Sequence, residues 1–477
     1  MKTNLLQTFL QKKKFEIVNG LTIDIDVSKN PYNIPIENLF SMAMRINTKR
    51  RFLFVSSVLG KHLAVDPFIP MLTGTALAIR FLKKIYNIES LVEKDVIEAL
   101  KTGQNLKETY KKVISSRIVP PEKLIFVGFA ETATALGHSM FEFFSDNSFY
   151  IHTTRENIQD INPSISFEEE HSHATSHRLY DCSDVLKSSK GSVIIVDDEI
   201  TTGKTLYNII SSMDKYSKRK KYIIASILDW RSEESKKLFY HLEKKLGIEI
   251  TFISLLSGEF SVNEDLYAIN AFIDEINLKN PDAKSDSNDI NHSINKVNFI
   301  DEPEIIKLSL KDFKLDTLNY TSTHSYEENN NSCYLSSTGR FGIASSLWND
   351  TEEKIKKAGG YLKSIRKGKR ILCLGTEEFM HIPMKIASYM GDGVKFHSTT
   401  RSPIYPINKE NYAIKSAIKF KSPNEVGVPN YIYNIPVNYY DELYIFFERN
   451  FDDKTLEPLL TKLKLTKIPR IYVVNLL

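Results

Sequence analysis

The stretch SVIIVDDEITTGKT, residues 192–205, ends an apolar run in two adjacent carboxylates, Asp197 and Asp198, and then turns through Thr201-Thr202-Gly203-Lys204-Thr205. Carboxylates hold hydroxyls or metal-bound waters, whereas a glycine turn with threonines and the open amides of a helix start holds phosphate. Side by side, the two chemistries describe a phosphorylated polyol such as ribose 5-phosphate. A nucleotide-binding P-loop, GxxxxGK[ST], is excluded, because Asp198 stands where that motif needs its first glycine. A bare Asp-Asp at a strand end would be an ordinary solvated turn, but four apolar residues, two acids and TGxT in one register form a much rarer pattern.

Such a site needs a strand to carry the acids and a helix to open the phosphate loop. SVIIV reads as a buried strand whose C-terminal edge holds the site, as in open α/β sheets, and LYNIISSM after it reads as the helix. Over residues 1–275 the runs RFLFVSSV, KLIFVGFA, SFYIHTT, KYIIASILDW and IEITFISLLS repeat the strand signal between helical or polar segments. Short continuous apolar runs alternating with helices predict an α/β fold, a parallel sheet flanked by helices. Residues 276–338 are rich in Asn, Ser and Asp and are expected to be a polar linker. Strand and helix return over 339–477 with RILCLG, GVKFHSTT, ELYIFFE and RIYVVNLL, a second α/β domain.

The 477 residues allow about two to four domains. Lys and Arg (63) barely outnumber Asp and Glu (59), so neither bulk nucleic acid nor a membrane surface is an expected partner. Cys182, Cys333 and Cys373 show no CxxC spacing, which argues against a zinc ribbon or a disulfide framework. The N-terminal stretch is too interrupted for a signal peptide, and no segment offers about 18 uncharged apolar residues, so a cytoplasmic protein is expected.

The segment 193–205 resembles the phosphoribosyl pyrophosphate signature of the type I phosphoribosyltransferases at all 13 positions, with Lys204 at a variable one. The resemblance implies that Asp197 and Asp198 contact the ribose hydroxyls and that Thr201, Thr202, Gly203, Lys204 and Thr205 form the 5-phosphate loop. It also implies a magnesium ion held near the acid pair through substrate or water. In KLIFVGFAETATALGHSMF the residues Gly128, Ala130, Glu131, Thr132 and Ala133 stand where the family has its pyrophosphate loop. Arg155, ending SFYIHTTR, stands where a basic residue lies over the pyrophosphate, a role its planar fork suits. SISFEEEHSHATSHRLYD lies where the family has a flexible catalytic loop, which makes His171, His173 and His177 lid residues. HxHxxxH lacks the partnering cysteine or helical pattern of a zinc site, and a lid reading is preferred. RRFLFVSSVLGKHL resembles the hairpin of orotate-type members, placing Lys61 and His62 near the substrate, although the usual serine-to-glycine spacing is not kept.

RILCLGTEEFMHIPMKIASYMGDGVKFHSTTRSPI matches the order of KLIFVGFAETATALGHSMFEFFSDNSFYIHTTRENI: strand, glycine turn with glutamate, helix, strand, Thr-Thr-Arg. The second half therefore reads as a degenerate copy. Where the first has Asp197-Asp198 it has Glu448-Arg449, and no TGxT follows. Glu377, Glu378, Thr400, Arg401 and Ser402 remain as candidates for a separate anion site or for a cover over the first pocket. With TGRFGI, LGTEEFM and STTRSP in this order, the chain resembles a bacterial two-part family named for its Thr-Arg-Ser-Pro (TRSP) domain. Its members are encoded in tellurium-resistance and stress clusters. The resemblance implies a magnesium-dependent transferase that moves 5-phosphoribose from phosphoribosyl pyrophosphate to a base-like acceptor, in salvage or biosynthesis, and a homodimer. A non-catalytic sensor of the same ligand, acting on partners through the second half, is the competing expectation.

Overall fold

Four consecutive fully buried residues, Val193–Val196, need a strand covered on both faces, and they lie at the middle of a sheet. The computed structural model describes residues 10–168, 176–279, 302–320, 333–425 and 427–477. Its first half carries β1 (Gln11–Val18), β2 (Leu21–Lys29), β3 (Phe40–Met44), β4 (Phe52–Ser56), β5 (Leu124–Gly128), β6 (Ser148–His152), β7 (Ile165–Glu168), β8 (Ser176–Leu179), β9 (Ser192–Ile200), β10 (Lys221–Asp229) and β11 (Glu249–Glu264). The later strands are β12 (Glu304–Ser309), β13 (Thr317–Asn319), β14 (Cys333–Leu335), β15 (Ile343–Ala344), β16 (Ile371–Gly375), β17 (Val394–Ser398), β18 (Ala417–Lys421), β19 (Pro429–Tyr433), β20 (Glu442–Phe447) and β21 (Arg470–Asn475).

The larger sheet runs β1-β2-β11-β10-β9-β5-β6-β15. Its β11-β10-β9-β5-β6 portion is parallel, as the buried apolar runs predict, while β1, β2 and β15 add antiparallel edges. The second sheet, β12-β21-β20-β16-β17, is parallel throughout. Aligning β5 with β16, β6 with β17, β9 with β20 and β10 with β21 superposes the two strand orders. β12 takes the place of β11, here at a sheet edge, although it comes first in its half. A hairpin follows the Thr-Thr-Arg in each half, β7–β8 and β18–β19.

Part of the stretch expected as a linker is structured. The helix Leu266–Lys279 runs into it, β12 completes the second sheet, and β13 pairs with β14. No residue of β12 is fully buried, so this edge strand carries little of the apolar signal that marks a central one.

The helices Ala133–Phe141 and His381–Tyr389, equivalent in the two halves, pack against each other. ATALGHSMF has no polar face because it is covered all round, and every one of its residues is buried. The His138 and His381 rings stack at 3.8 Å across this contact. Beside them Lys385 Nζ donates to Glu142 (2.8 Å) and the Tyr110 hydroxyl (2.6 Å), and pairs with Glu352 (2.6 Å). Buried charges in a low-dielectric contact need such partners.

Candidate active site

β9 delivers Asp197 and Asp198 half-buried at its C-terminal end, into a cleft of about 880 Å³. The Asp198 amide donates to Asp197 Oδ1 at 2.9 Å. Burial, and then the neighbouring Asp198, pushes the Asp197 carboxyl well above the usual range. Burial and the Glu199 charge push Asp198 up to about 6. The pair is thus a focus of under-compensated negative charge.

The chain then turns at Gly203, whose φ of +74° lies in the left-handed region, and enters the helix Lys204–Tyr216. A Cβ there would come within 2.5 Å of the Phe239 ring, so glycine serves both the turn and the packing. Thr201, Thr202, Gly203 and Thr205 line the cleft at this helix start. Lys204 is exposed and does not line it.

Opposite them, the loop after β5 contributes Ala130, Glu131 and Thr132. Thr153 Oγ1 accepts from the Ala130 amide at 2.9 Å and anchors the loop to the end of β6. Gly128 and Ala133 lie behind it, at the strand end and in the first turn of the helix, and neither lines the cleft. Arg155 does line the cleft; its Nη1 approaches Glu131 at 3.4 Å and its amide donates to Glu378 at 2.8 Å.

Lys61 is 1% exposed and directs its ammonium to the Glu131 carboxylate and to the carbonyls of Glu377 (3.1 Å) and Thr399 (2.9 Å). An ammonium has three N–H donors, so Lys61, which also lines the cleft, ties the two halves together at its wall. His62 beside it lines the cleft, 7% exposed, with neither ring nitrogen hydrogen-bonded among the described residues. Burial and the Lys61 charge hold its pKa well below the usual value, so the ring is neutral.

Of the lid histidines, His171 and His173 lie outside the described residues. His177 is buried behind the cleft, stacked on Phe167, with Nδ1 3.3 Å from Thr153 Oγ1. Glu377 is buried and Glu378 half-buried between the halves, whereas Thr400, Arg401 and Ser402 line the first half's cleft. Sequence reasoning missed Arg45, Lys49 and Arg50 of the β3–β4 connection, Phe54, Phe129 and Glu199, all of which line it. Arg50 is ion-paired to Glu199. The basic run RINTKRR was the available signal.

The equivalent position in the second half is filled. Glu448, at the place of the acid pair, receives Nη1 of Arg340 at 3.0 and 2.8 Å, and Arg340 is 2% exposed. Arg449 donates to Glu156 (3.3 Å), Asn424 (3.2 Å) and the Tyr334 hydroxyl (3.2 Å). Burial disfavours the Glu156 charge, but Arg449 and Arg340 outweigh it and bring its pKa to about 2. No cluster of three or more His, Cys, Asp or Glu side chains suited to a metal occurs among the described residues. Nor is any helix among them long and apolar enough to cross a membrane.

A family model described as phosphoribosyl transferase matches residues 39–259, which span the strand, loop and acid pair of the cleft. This defines the class, a phosphoribosyltransferase. A second model, the TRSP domain C-terminal to that transferase domain, matches residues 337–463. The two models match in this order along the chain.

Among solved structures it is similar to an adenine phosphoribosyltransferase from Giardia lamblia complexed with 9-deazaadenine, at 16% identity and a TM-score of 0.23, covering 34% of this chain and 84% of that one. An adenine phosphoribosyltransferase from Trypanosoma brucei, in complex with AMP, pyrophosphate and ribose-5-phosphate, matches at 14% identity and a TM-score of 0.21, covering 42% and 76%. A Staphylococcus aureus hypoxanthine phosphoribosyltransferase matches at 12% identity and a TM-score of 0.19, covering 36% and 69%. Likeness at this level says nothing about substrate. No curated protein matches the chain.

Proposed function

We propose that the cleft transfers 5-phosphoribose from phosphoribosyl pyrophosphate to a ring nitrogen of a nucleobase-like acceptor and releases pyrophosphate. The observation that carries this is the juxtaposition, in one cleft, of the Asp197-Asp198 pair, the glycine-threonine loop opening a helix, and the Glu131 loop with Arg155.

The acceptor nitrogen forms the new bond to the anomeric carbon as the bond to the pyrophosphate oxygen breaks, and the electron pair leaves with pyrophosphate. Positive charge develops on the sugar, so the protein's work is charge placement. Asp197 and Asp198 orient the ribose hydroxyls and stabilise that charge. The amides at the start of the helix Lys204–Tyr216, with Thr201, Thr202 and Thr205, hold the 5-phosphate. Arg155 and the backbone of the Glu131 loop hold the departing pyrophosphate. The raised pKa values of the acid pair fit a hard divalent cation such as magnesium, held mostly through substrate oxygens and water. When bound, it would neutralise pyrophosphate charge. A role in salvage or biosynthesis linked to stress and tellurium resistance follows from the family resemblance.

The test is pyrophosphate release from phosphoribosyl pyrophosphate and magnesium across a panel of purine, pyrimidine and related bases. Base-dependent release that disappears in Asp197→Asn/Asp198→Asn is expected. No release with any base, with magnesium-dependent binding intact, would instead identify a sensor.

A further inference from the structure

The Thr-Arg-Ser-Pro stretch of the second half, residues 400–403, turns away from its own filled position and lines the first half's cleft along its whole length. It is fixed there by backbone. The Ile46 amide of the β3–β4 connection donates to the Pro403 carbonyl at 2.9 Å, and Arg45 and Ile404 form a bridge. Behind it the Tyr433 hydroxyl donates to the Ser402 carbonyl at 2.7 Å.

Arg401 is held from one side. Its Nε donates to Glu377 Oε2 at 3.1 Å, its Nη2 reaches the same oxygen, and its Nη1 reaches Glu425. A guanidinium has five N–H donors; three are directed to these acids, two remain, and the residue lines the cleft. Ser402 Oγ, buried at the edge of the same cleft, has no hydrogen-bond partner among the described residues, and neither does either ring nitrogen of His62. Buried polar atoms are normally satisfied, so three orphaned atoms lining the same cleft as an oriented guanidinium mark a place for a polar ligand.

The exchange is reciprocal. Thr154 Oγ1 and the Arg155 amide of the first half serve Glu378 of the second, at 2.6 and 2.8 Å. Arg401 and Arg155 lie at equivalent places after their strands, and both line this cleft.

We propose that Arg401, with Ser402 and His62, forms an anion subsite by which the second half completes the first half's active site, and that its ligand is the pyrophosphate group of phosphoribosyl pyrophosphate. This rests on the reading of the cleft given under Proposed function. A fork held rigidly by two carboxylates presents parallel N–H groups to phosphate oxygens, which a point charge does not. The second half then acts as a built-in partner that brings charge to a site it does not itself contain.

The test is calorimetric titration of the full chain, with magnesium, using phosphoribosyl pyrophosphate, inorganic pyrophosphate and ribose 5-phosphate separately. Arg401→Gln is expected to weaken phosphoribosyl pyrophosphate and pyrophosphate about tenfold or more, while ribose 5-phosphate holds within about twofold. If all three are unchanged, or all three weaken equally, the subsite is overturned. Should Arg401→Gln fail to fold, Arg401→Lys keeps the charge without the fork, and the same split between ligands, several-fold in size, is expected; its absence overturns the proposal. Failure of the wild-type chain to bind any of the three overturns the underlying reading of the cleft instead.

Discussion

Two strand ends at equivalent places in the repeat have opposite fates. β9 carries Asp197-Asp198 near its C-terminal end, facing an open cleft, and the pKa values of both acids are raised. β20 ends before Glu448-Arg449, which are buried and occupied by Arg340, Glu156 and Tyr334. In the first half the negative charge waits for a ligand; in the second the chain supplies its own counter-charge, and Glu156 is drawn down to about 2. The comparison teaches that one strand order can end in an acid pair facing a cleft in one half and in a buried ion network in the other. The second half's Thr-Arg-Ser-Pro stretch lines the first half's cleft.

The largest effect should come from the acid pair. Asp197→Asn/Asp198→Asn is expected to lower turnover by about a thousandfold or more with the fold retained, since it removes charge placed for the transition state. Near-normal turnover in pyrophosphate-release kinetics would break the comparison at its live end.

At the sealed end, Arg340→Ala strips the counter-charge from Glu448 and is expected to cost about 3–5 kcal/mol in denaturant unfolding, as for other broken buried pairs. It should not create a second ligand site, because the second half has no glycine-threonine loop.

Gly203→Ala forces a side chain into a left-handed turn against Phe239. About 1–2 kcal/mol of strain is expected there, read as weaker ribose 5-phosphate binding in calorimetry with pyrophosphate binding preserved.

The smallest effect is in pH. Asp198 is raised from 3.8 to about 6, so its contribution to stability in the ligand-free protein is present below pH 3.8 and lost as pH rises through about 6. Glu156 is lowered from 4.5 to about 2, so its contribution is present above pH 4.5 and lost as pH falls towards 2. Magnesium-dependent ligand binding should therefore tighten between pH 5 and 7, and melting curves of Asp197→Asn/Asp198→Asn should lack the loss through pH 6. Equal pH profiles for wild type and variant would contradict the assignment.

Much of the live site was legible because it is local. The strand, acids, glycine turn and helix of residues 192–216 are contiguous, and their period and residue types announce both geometry and chemistry. The repeat was legible for the same reason, as a succession of local units. What escaped depends on contact between distant segments. Lys61 stands in its turn as a cleft residue, and only the approach of Glu377 and Thr399 shows that it also ties the halves together. Arg340 in TGRFGI has no local partner that reveals it as the plug over Glu448. Arg401 follows its strand just as Arg155 does, and nothing nearby in the chain says which cleft it faces. The strand β12, exposed or half-buried throughout, lacks the apolar run by which a strand is recognised.

The central claim, one open site and one sealed, is tested most directly by the stoichiometry of phosphoribosyl pyrophosphate binding to the full chain in the presence of magnesium. One ligand per chain is predicted, lost in Asp197→Asn/Asp198→Asn and retained in Glu448→Gln. Two ligands per chain, or binding that survives loss of the acid pair, would contradict it.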